Sequence, residues 1–323
     1  MPFDPIITVT LNPAIDRVLE VDGFKIGGHQ LGRLRHRVAA GKGINVSKAL
    51  ARLGVPSVAT GFLGRDNAQE FEALLLPPDQ RDLLTRIKLQ FFEIPGATRE
   101  NVTLIDTTDQ AETHVRDQGV AVGEKDLLRL KRKLDLMSRA GALVIFGGGL
   151  PPGVEGEQLA QLAHICISAG ARVVVDSSAS AMAAVSGLPL WMVKPNREEL
   201  AELVGRPVGE GRPQVLAAGR ELASRYEYVL VSLGAEGGLA FHGERAVAGH
   251  VPIQSDRVVS SVGCGDCMVA GMVAGINRGE DWEQAYRLAL GAATANVIGG
   301  APSEFTDAHL REFTAAAVIE PIV

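Results

Sequence analysis

The sequence predicts an α/β protein with a mainly parallel central sheet flanked by helices on both faces. Predicted strands such as residues 142–146 and 172–176, each built on a run of Val, Ile or Leu, alternate with helix-like segments such as 124–139 and 157–169. The 323 residues are 46% hydrophobic and only 5% aromatic, which is typical of an α/β protein with a large core. Strands that alternate with helices pair in parallel, because each helix carries the chain back across the sheet.

Composition argues against several classes of function. The net charge is −6 and there is no long basic run, so we expect no nucleic-acid partner. No apolar stretch reaches the ~18 residues needed to span a membrane, and the N-terminus lacks the regions of a signal peptide. We therefore expect a cytoplasmic protein with no membrane partner. Three cysteines, at 166, 264 and 267, do not make a disulfide framework.

The first predicted strand covers residues 6–11, and polar residues follow it at once. Ligands in open α/β sheets collect beyond the carboxyl ends of strands, so Asn12 and Asp16 either meet a substrate or serve ordinary turn chemistry. Residues 33–38 then alternate so that three arginines share one strand face. This pattern fits either a solvated edge strand or a basic flap over an anionic substrate.

The next element is a glycine turn that opens a helix, Gly41-Lys42-Gly43-Ile44-Asn45, and Gly54 marks the end of that helix. The turn lacks the Walker spacing of a P-loop. Its lysine and asparagine are suited to hold a sugar hydroxyl or a phosphate, although the signal is weak by itself.

Short alternating runs at 17–38 and 89–118 predict a small β-layer, or lid, that is inserted into a larger body. The body then comprises residues 1–16, 39–88 and 119–323. It contains a strand at 57–64, a regular succession of helices and strands after residue 122, and three helices between 266 and 318.

The most informative stretch is 260–271, where Gly263 and Gly265 flank Cys264 and Asp266 follows at the start of an apolar helix. Glycines allow the backbone to approach a ligand, and the free N–H groups of a helix start attract anions. With a carboxylate beside such a turn, the carboxylate provides a base for an alcohol and the N–H groups of the turn provide donors for phosphoryl oxygens. The alternative is a glycine-rich helix start with Asp266 as a simple cap.

Together these segments resemble the ribokinase-like carbohydrate kinases, and in particular their phosphofructokinase B branch, from residue 10 to about residue 300. The motifs that carry the resemblance are Thr10-Leu11-Asn12-Pro13-Ala14-Ile15-Asp16, Gly41-Lys42-Gly43-Ile44-Asn45-Val46, Thr98-Arg99-Glu100-Asn101-Val102, Leu150-Pro151-Pro152-Gly153, Val193-Lys194-Pro195-Asn196-Arg197-Glu198-Glu199-Leu200, Val231-Ser232-Leu233-Gly234 and residues 263–271. The resemblance implies a ribokinase-like fold in which the lid closes over the sugar and pairs two subunits into a homodimer.

The resemblance also implies an ATP-dependent kinase that phosphorylates a hexose phosphate, with Asp266 as general base. The implied anion hole consists of the backbone N–H groups of Gly263, Cys264 and Gly265. The implied substrate-binding residues are Asn12, Asp16, Gly41, Lys42, Gly43, Asn45, Arg99 and Asn101. Among these, Lys42 and Arg99 are assigned to the phosphate that the substrate already carries, since a lysine charge and an arginine fork suit a dianion.

By the same resemblance, a further set of residues binds ATP, namely Lys194, Ser232, Gly234, Gly237 and Asn296. Asn196 and Glu199 match the Asn-x-x-Glu element that organises Mg²⁺, largely through water. The substrate that we expect is fructose 1-phosphate, which would give fructose 1,6-bisphosphate. The alternatives are a tagatose-6-phosphate kinase, a 6-phosphofructokinase of the same branch, or a non-catalytic sugar-phosphate sensor.

The chain departs from the family pattern at several positions. Cys264 and Cys267 stand where the family usually has alanine and serine, and residues 147–149 are all glycine where a hydroxyl is expected near the sugar. Without a second cysteine pair or a histidine cluster, Cys264-x-x-Cys267 does not predict a zinc site. A regulatory disulfide and simple packing replacements both stay open.

Overall fold

The computed structural model describes residues 2–77, 80, 83 and 85–322. In this part of the chain the large sheet has ten strands, and its central pairs are parallel. From one edge to the other the strands are Val318–Ile322, Arg245–His250, Gly238–His242, Tyr228–Ser232, Met192–Val193, Arg172–Asp176, Leu143–Gly147, Ile6–Thr10, Ser57–Gly64 and Ile87–Ile94. The predicted mainly parallel sheet is confirmed.

The sheet is covered on both faces, as its apolar strands require. Along the central strand Ile6–Thr10, Ile7 and Ile6 point into two different cores, one on each face. The helices that build the covering layers are Lys42–Arg52, Ala68–Leu75, Glu124–Met137, Gly156–Ser168, Ala179–Val185, Arg197–Val204, Arg212–Ala223, Cys264–Asn277, Trp282–Val297 and Asp307–Ala316. Within the described residues no helix has both the length and the apolar character to cross a membrane.

The sheet ends in antiparallel strands on one side. Gly238–His242 and Arg245–His250 form a hairpin beside Tyr228–Ser232, and the C-terminal strand Val318–Ile322 pairs with the second of them. The sequence predicted the three helices of the last third but not this final strand. Its side chains are only partly buried, so it lacks the apolar run that indicated the central strands.

A second, smaller sheet contains four strands in the described part of the chain. Their order is Gly32–Ala40, Ala14–Val21, Arg99–Asp106 and Glu112–Arg116, with a parallel pair in the middle and antiparallel pairs outside. We call these four strands the lid sheet. They lie within or next to the predicted lid segments 17–38 and 89–118, whose separation from the body as a domain stays a prediction.

One part of the predicted lid belongs elsewhere. Residues 89–94 lie in the strand Ile87–Ile94, which pairs in parallel with Ser57–Gly64 and forms an edge of the large sheet. The reason is its apolar face, because Phe91 packs edge-on against Phe71 of helix Ala68–Leu75 with ring centroids 6.3 Å apart. The prediction that this segment joins the lid was therefore wrong.

The three arginines of the edge strand Gly32–Ala40 are paired with carboxylates. Arg33 and Arg35 lie beside Glu20 of the neighbouring strand, and Arg37 donates to Glu70 and Glu100. These pairs favour the interpretation of a charged edge strand over that of a basic flap.

Candidate active site

Two glycine turns meet at the carboxyl ends of the central strands. Gly41, at φ 143°, precedes helix Lys42–Arg52, and Gly263, at φ 83°, precedes helix Cys264–Asn277. The second backbone conformation is left-handed, which favours glycine. In the described residues no side chain caps either helix. The N–H of Cys264 donates to the carbonyl of Ser261 at 3.3 Å, and a helix start leaves its other first-turn N–H groups for a ligand.

Asp266 lies where the two turns meet. Its carboxylate is only 5% exposed and accepts a hydrogen bond of 2.8 Å at Oδ2 from Nδ2 of Asn45. The structure thus brings together the predicted base, the predicted anion-binding turn and one predicted sugar-binding residue.

A second buried carboxylate, Asp176, stands beside the first and is bound by two lysines. Its Oδ1 lies 2.8 Å from Nζ of Lys42 and 3.8 Å from Nζ of Lys194. Asp176 is the last residue of the strand Arg172–Asp176, and it is 4% exposed. Two of the predicted ligand-binding lysines therefore converge on one acid.

The two acids titrate in opposite directions. Burial, together with the charge of Asp176, raises the pKa of Asp266 to about 7, although Asn45, Lys42 and Lys194 oppose the rise. Burial would also raise the pKa of Asp176, but the charges of Lys194 and Lys42 outweigh it and hold that pKa below its ordinary value. Asp176 is therefore the permanent anion, and Asp266 takes up a proton near neutral pH.

The lysine in the first turn is held in its charged form. Burial opposes the charge on Lys42, but attraction to Asp176, the hydrogen bond between them and the charges of Asp266 and Glu199 raise its pKa above the ordinary value. A cation surrounded by these carboxylates stays available for a substrate anion throughout the physiological pH range.

Several buried polar atoms around this cluster have no hydrogen-bond partner in the described residues. They are Oγ1 of Thr10, Oδ1 of Asn45, Oδ1 of Asn101 and Oδ2 of Asp176. An unpaired buried polar atom costs about 1 to 3 kcal/mol. Three of these four atoms are acceptors, which is the complement of the hydroxyl donors of a sugar.

The lid sheet contributes Asp16 and Asn101 on adjacent strands. The two residues are paired in register, and Nδ2 of Asn101 donates to Oδ1 of Asp16 at 2.8 Å. Asp16 is therefore held in place by the lid.

Two other predicted substrate residues are engaged with the main chain. Nδ2 of Asn12 donates to the carbonyls of Gln118 and Leu150, at 2.9 and 3.3 Å. Arg99 donates to three carbonyls, of Pro13, Asp117 and Asn12, at 3.3, 2.9 and 3.1 Å. A guanidinium has five N–H donors, so two of those of Arg99 remain for a phosphate.

The remaining substrate-binding glycine, Gly43, lies in the first turn of helix Lys42–Arg52, where there is no space for a side chain. A Cβ there would stand 2.6 Å from Oγ1 of Thr10 and 3.0 Å from the carbonyl oxygen of Val9. Gly43 thus allows the helix start to pack closely against the first strand.

The predicted metal residues form a capping box. Oδ1 of Asn196 accepts from the backbone N–H of Glu199, and Oε2 of Glu199 accepts from the backbone N–H of Asn196, which together cap helix Arg197–Val204. Among the described residues there is no group of three or more His, Cys, Asp or Glu side chains placed to hold a metal ion.

Two of the predicted ATP-binding residues, Lys194 and Ser232, lie at the carboxyl ends of neighbouring strands of the large sheet. Lys194 follows strand Met192–Val193, and Ser232, which ends the next strand, pairs with Asn196. The turn after Ser232 contains two glycines with positive φ. A Cβ on Gly234 would meet no atom within 4 Å, whereas one on Gly237 would stand 2.1 Å from the carbonyl oxygen of Gly249.

Asn296 is 2% exposed, and its amide is bound by the protein itself. Its Nδ2 donates to the carbonyl of Val262 at 2.8 Å and lies 3.3 Å from Sγ of Cys264, while its Oδ1 accepts from the backbone of Ser303 at 2.6 Å. Through its hydrogen bond to Val262, Asn296 stabilises the second glycine turn.

The cysteines at this site are unpaired thiols. Burial raises the pKa of both Cys264 and Cys267 above the ordinary value. Protonated thiols are poor nucleophiles, so this environment favours a packing role over a reactive one.

Sequence reasoning missed Asp176 and Ser303. Asp176 had a usable signal, because an acid at the carboxyl end of a central strand lies where ligands of parallel sheets bind. Ser303 had none, since its hydroxyl contacts Asn45, which is 258 residues away in the chain.

Comparison with known proteins gives one consistent result. The family model described as pfkB family carbohydrate kinase matches residues 9–304. A 1-phosphofructokinase from Xanthomonas campestris is 35% identical over 97% of this chain and 97% of its own length. A tagatose-6-phosphate kinase from Staphylococcus epidermidis is 29% identical over 84% of this chain and 85% of its own length. The crystal structure of phosphofructokinase-2 from Escherichia coli in complex with substrates and products superposes with a TM-score of 0.88 at 27% identity, covering 96% and 98% of the two chains.

Proposed function

We propose, on the premise that this chain belongs to the pfkB family of carbohydrate kinases, that it transfers the γ-phosphoryl group of ATP to the free hydroxyl of a hexose phosphate. The family membership confirms the predicted kinase class and the ribokinase-like fold. The substrate that we favour is fructose 1-phosphate, and the product is fructose 1,6-bisphosphate.

The observation that carries this proposal is the pairing of the buried carboxylate of Asp266 with a glycine turn that no side chain caps in the described residues. Asp266, oriented by Asn45 at 2.8 Å, removes the proton of the attacking hydroxyl. The hydroxyl oxygen then forms a bond to the γ-phosphorus as the bond to the ADP oxygen breaks. N–H groups of the turn at Gly263 stabilise the charge on the transferred group.

The lysines are proposed to neutralise the phosphates of the two substrates. Lys194, buried beside Asp176, is assigned to the phosphates of ATP together with the Ser232–Gly237 turn. Lys42, which Asp176 holds at 2.8 Å, and Arg99, which is held by three carbonyls, are assigned to the phosphate of the sugar. The unpaired acceptors on Asn45 and Asn101 support a polyhydroxyl ligand beside them. Asn296 would border the adenine pocket through the backbone of the turn that it braces.

Asn196 and Glu199 are proposed to hold Mg²⁺ together with the phosphates of ATP. The donor set fits, since magnesium is usually bound by one or two carboxylates, waters and substrate phosphates, and Oδ2 of the nearby Asp176 is a buried carboxylate oxygen without a partner in the described residues. When bound, the ion offsets negative charge on the phosphoryl oxygens.

The test is a panel of acceptors assayed with Mg-ATP, containing fructose 1-phosphate, fructose 6-phosphate, tagatose 6-phosphate, fructose and ribose. We expect the highest kcat/KM for fructose 1-phosphate. A preference for tagatose 6-phosphate would establish the alternative that the relative from Staphylococcus epidermidis suggests. A preference for unphosphorylated fructose or ribose would overturn the phosphate role of Lys42 and Arg99.

A homodimer formed through the lid is part of the proposal, as is a cytoplasmic location. Four large apolar side chains in or beside the lid strands are exposed, namely Ile26, Leu31, Leu34 and Val115. Leu31 and Leu34 lie close together in the chain, at the edge strand Gly32–Ala40, and exposed apolar residues at one edge favour a protein interface there. Sedimentation of the wild type should give twice the monomer mass, and the double variant Leu31→Asp, Leu34→Asp should give the monomer mass. A wild type with the monomer mass would contradict the dimer, and a double variant with the dimer mass would contradict an interface through the lid.

A further inference from the structure

Ser303 is a buried polar residue outside the predicted site. It lies between helices Trp282–Val297 and Asp307–Ala316 and is fully buried. Its φ of 62° is in the left-handed region, where a residue other than glycine is strained by about 1 kcal/mol or more. A glycine would adopt this conformation freely but would have no hydroxyl group.

The hydroxyl and the backbone of Ser303 make separate contacts to two site residues. Its Oγ donates to the carbonyl oxygen of Asn45 at 2.8 Å, and its N–H donates to Oδ1 of Asn296 at 2.6 Å. Sγ of Cys267 stands 3.6 Å from the same Oγ. Asn296 is seven residues away in the chain, whereas Asn45 is 258 residues away, so the contact of the hydroxyl is fixed only by the fold.

Those two partners contact the second glycine turn at two points, Asp266 and Val262. Asn45 binds the carboxylate of Asp266 at 2.8 Å, and Asn296 binds the carbonyl of Val262 in the second glycine turn at 2.8 Å. A continuous line of hydrogen bonds therefore runs from the base through Asn45, Ser303 and Asn296 to the turn. If the hydroxyl of Ser303 were removed, the hydrogen bond to the carbonyl of Asn45 would be lost, and with it the link between Asn45 and Asn296.

We propose, on the basis of the kinase function above, that Ser303 is a positioning residue whose hydroxyl holds Asn45, on the first-turn helix, against the second turn that carries Asp266 and the anion-binding N–H groups. In-line phosphoryl transfer depends on how accurately the hydroxyl, the γ-phosphorus and the stabilising N–H groups are aligned. Ser303 contacts neither substrate. Its effect is on the geometry of Asn45, and through it on the orientation and protonation of Asp266.

The experiment compares Ser303→Gly, Ser303→Ala and Ser303→Cys with the wild type. The glycine variant loses the hydroxyl and also the backbone strain, so it should unfold at a temperature similar to or higher than that of the alanine variant. Loss of one buried neutral hydrogen bond predicts a kcat about tenfold lower in both, with KM for ATP and for the sugar phosphate within about twofold. The cysteine variant, with a weak donor of similar size, should recover part of kcat.

A purely structural role would not change the pH dependence, and this gives the discriminating readout. Asn45 lowers the pKa of Asp266, so a less well-held Asn45 should move the acidic limb of the kcat profile to higher pH. The matched control is Gln110→Gly, because Gln110 also has a left-handed φ, of 61°, but lies at the far end of a lid hairpin. It should change unfolding temperature without changing kcat or the pH profile.

The possible outcomes separate this inference from the function on which it rests. Wild-type kcat and an unshifted pH profile in stably folded Ser303→Gly and Ser303→Ala would overturn the positioning role while leaving the kinase function intact. A wild type that phosphorylates none of the five acceptors would instead overturn the kinase function. If the alanine variant does not fold, the glycine variant alone decides, since it carries no backbone strain.

Discussion

Each of the two glycine turns precedes a helix at the carboxyl ends of the central strands, yet the two turns contribute different chemical groups. The turn at Gly41 presents side chains, a lysine cation and the amide of Asn45. The turn at Gly263 presents main-chain N–H groups and one acid, Asp266. The first turn therefore suits a fixed charge on a substrate, and the second suits charge that develops during reaction.

The electrostatics of the two turns also differ. In the first turn attraction from several carboxylates outweighs burial, so Lys42 keeps its charge. In the second turn burial outweighs the helix dipole and the lysines, so Asp266 is protonated near pH 7. Each residue is thus controlled by what the rest of the fold places beside it, and the turn sequence alone does not decide the outcome.

The largest expected effect comes from removing the acid of the second turn. Asp266→Asn retains the size of the side chain but cannot accept a proton, so turnover should fall by about 100- to 10,000-fold. Binding of ATP, measured by calorimetry, should remain. Turnover close to that of the wild type would contradict the role of Asp266, and the mutation Asp16→Asn, at the lid, is a control that should affect KM for the sugar more than kcat.

The same variant also tests the raised pKa. The pKa of Asp266 is about 7 in the folded protein against an ordinary value of 3.8, so between these pH values the folded state binds a proton that the unfolded state has lost. Stability from this group is therefore present at low pH and lost as pH rises through about 7. Asp266→Asn should be more stable than the wild type at pH 8, by on the order of 4 kcal/mol, and by a smaller amount at pH 5. As the pH decreases below about 7, kcat/KM of the wild type should decrease because Asp266 becomes protonated. Equal unfolding curves of the wild type and the variant at pH 8 would contradict the raised pKa.

The parts of the fold that could be predicted are those with strong local patterns. The strand Ser57–Gly64 and the strand Arg172–Asp176 were predicted at their observed bounds, because each is an apolar run between turn signals. The strand Ile87–Ile94 was predicted as a strand but assigned to the wrong sheet. Which sheet a strand joins depends on Phe71, a residue in another element, and that information is not local.

The candidate site shows the same division. The glycine turns and Asp266 were recognisable because their chemistry depends on close spacing. The engagement of Arg99 with three carbonyls, and of Asn296 with Val262, depends on residues more than 15 positions away. Asp176 was overlooked for a related reason, since its importance comes from two lysines that only the folded sheet places beside it.

A smaller effect is expected from the side chain of the first turn. Lys42→Met keeps most of the length of the side chain but removes the charge, so the phosphate of the sugar loses one charge-assisted hydrogen bond. That loss should lower kcat/KM for the sugar phosphate about 10- to 100-fold, mainly through KM. The acidic limb of the kcat/KM profile should also move to higher pH, because Lys42 helps to lower the pKa of Asp266.

Lys125→Met, on an exposed helix face, controls for the change in hydrophobicity and should leave all these values unchanged. If Lys42→Met instead lowered kcat alone, with KM and the pH profile as in the wild type, the first turn would not be the site of the sugar's phosphate, and the contrast between the two turns would fail.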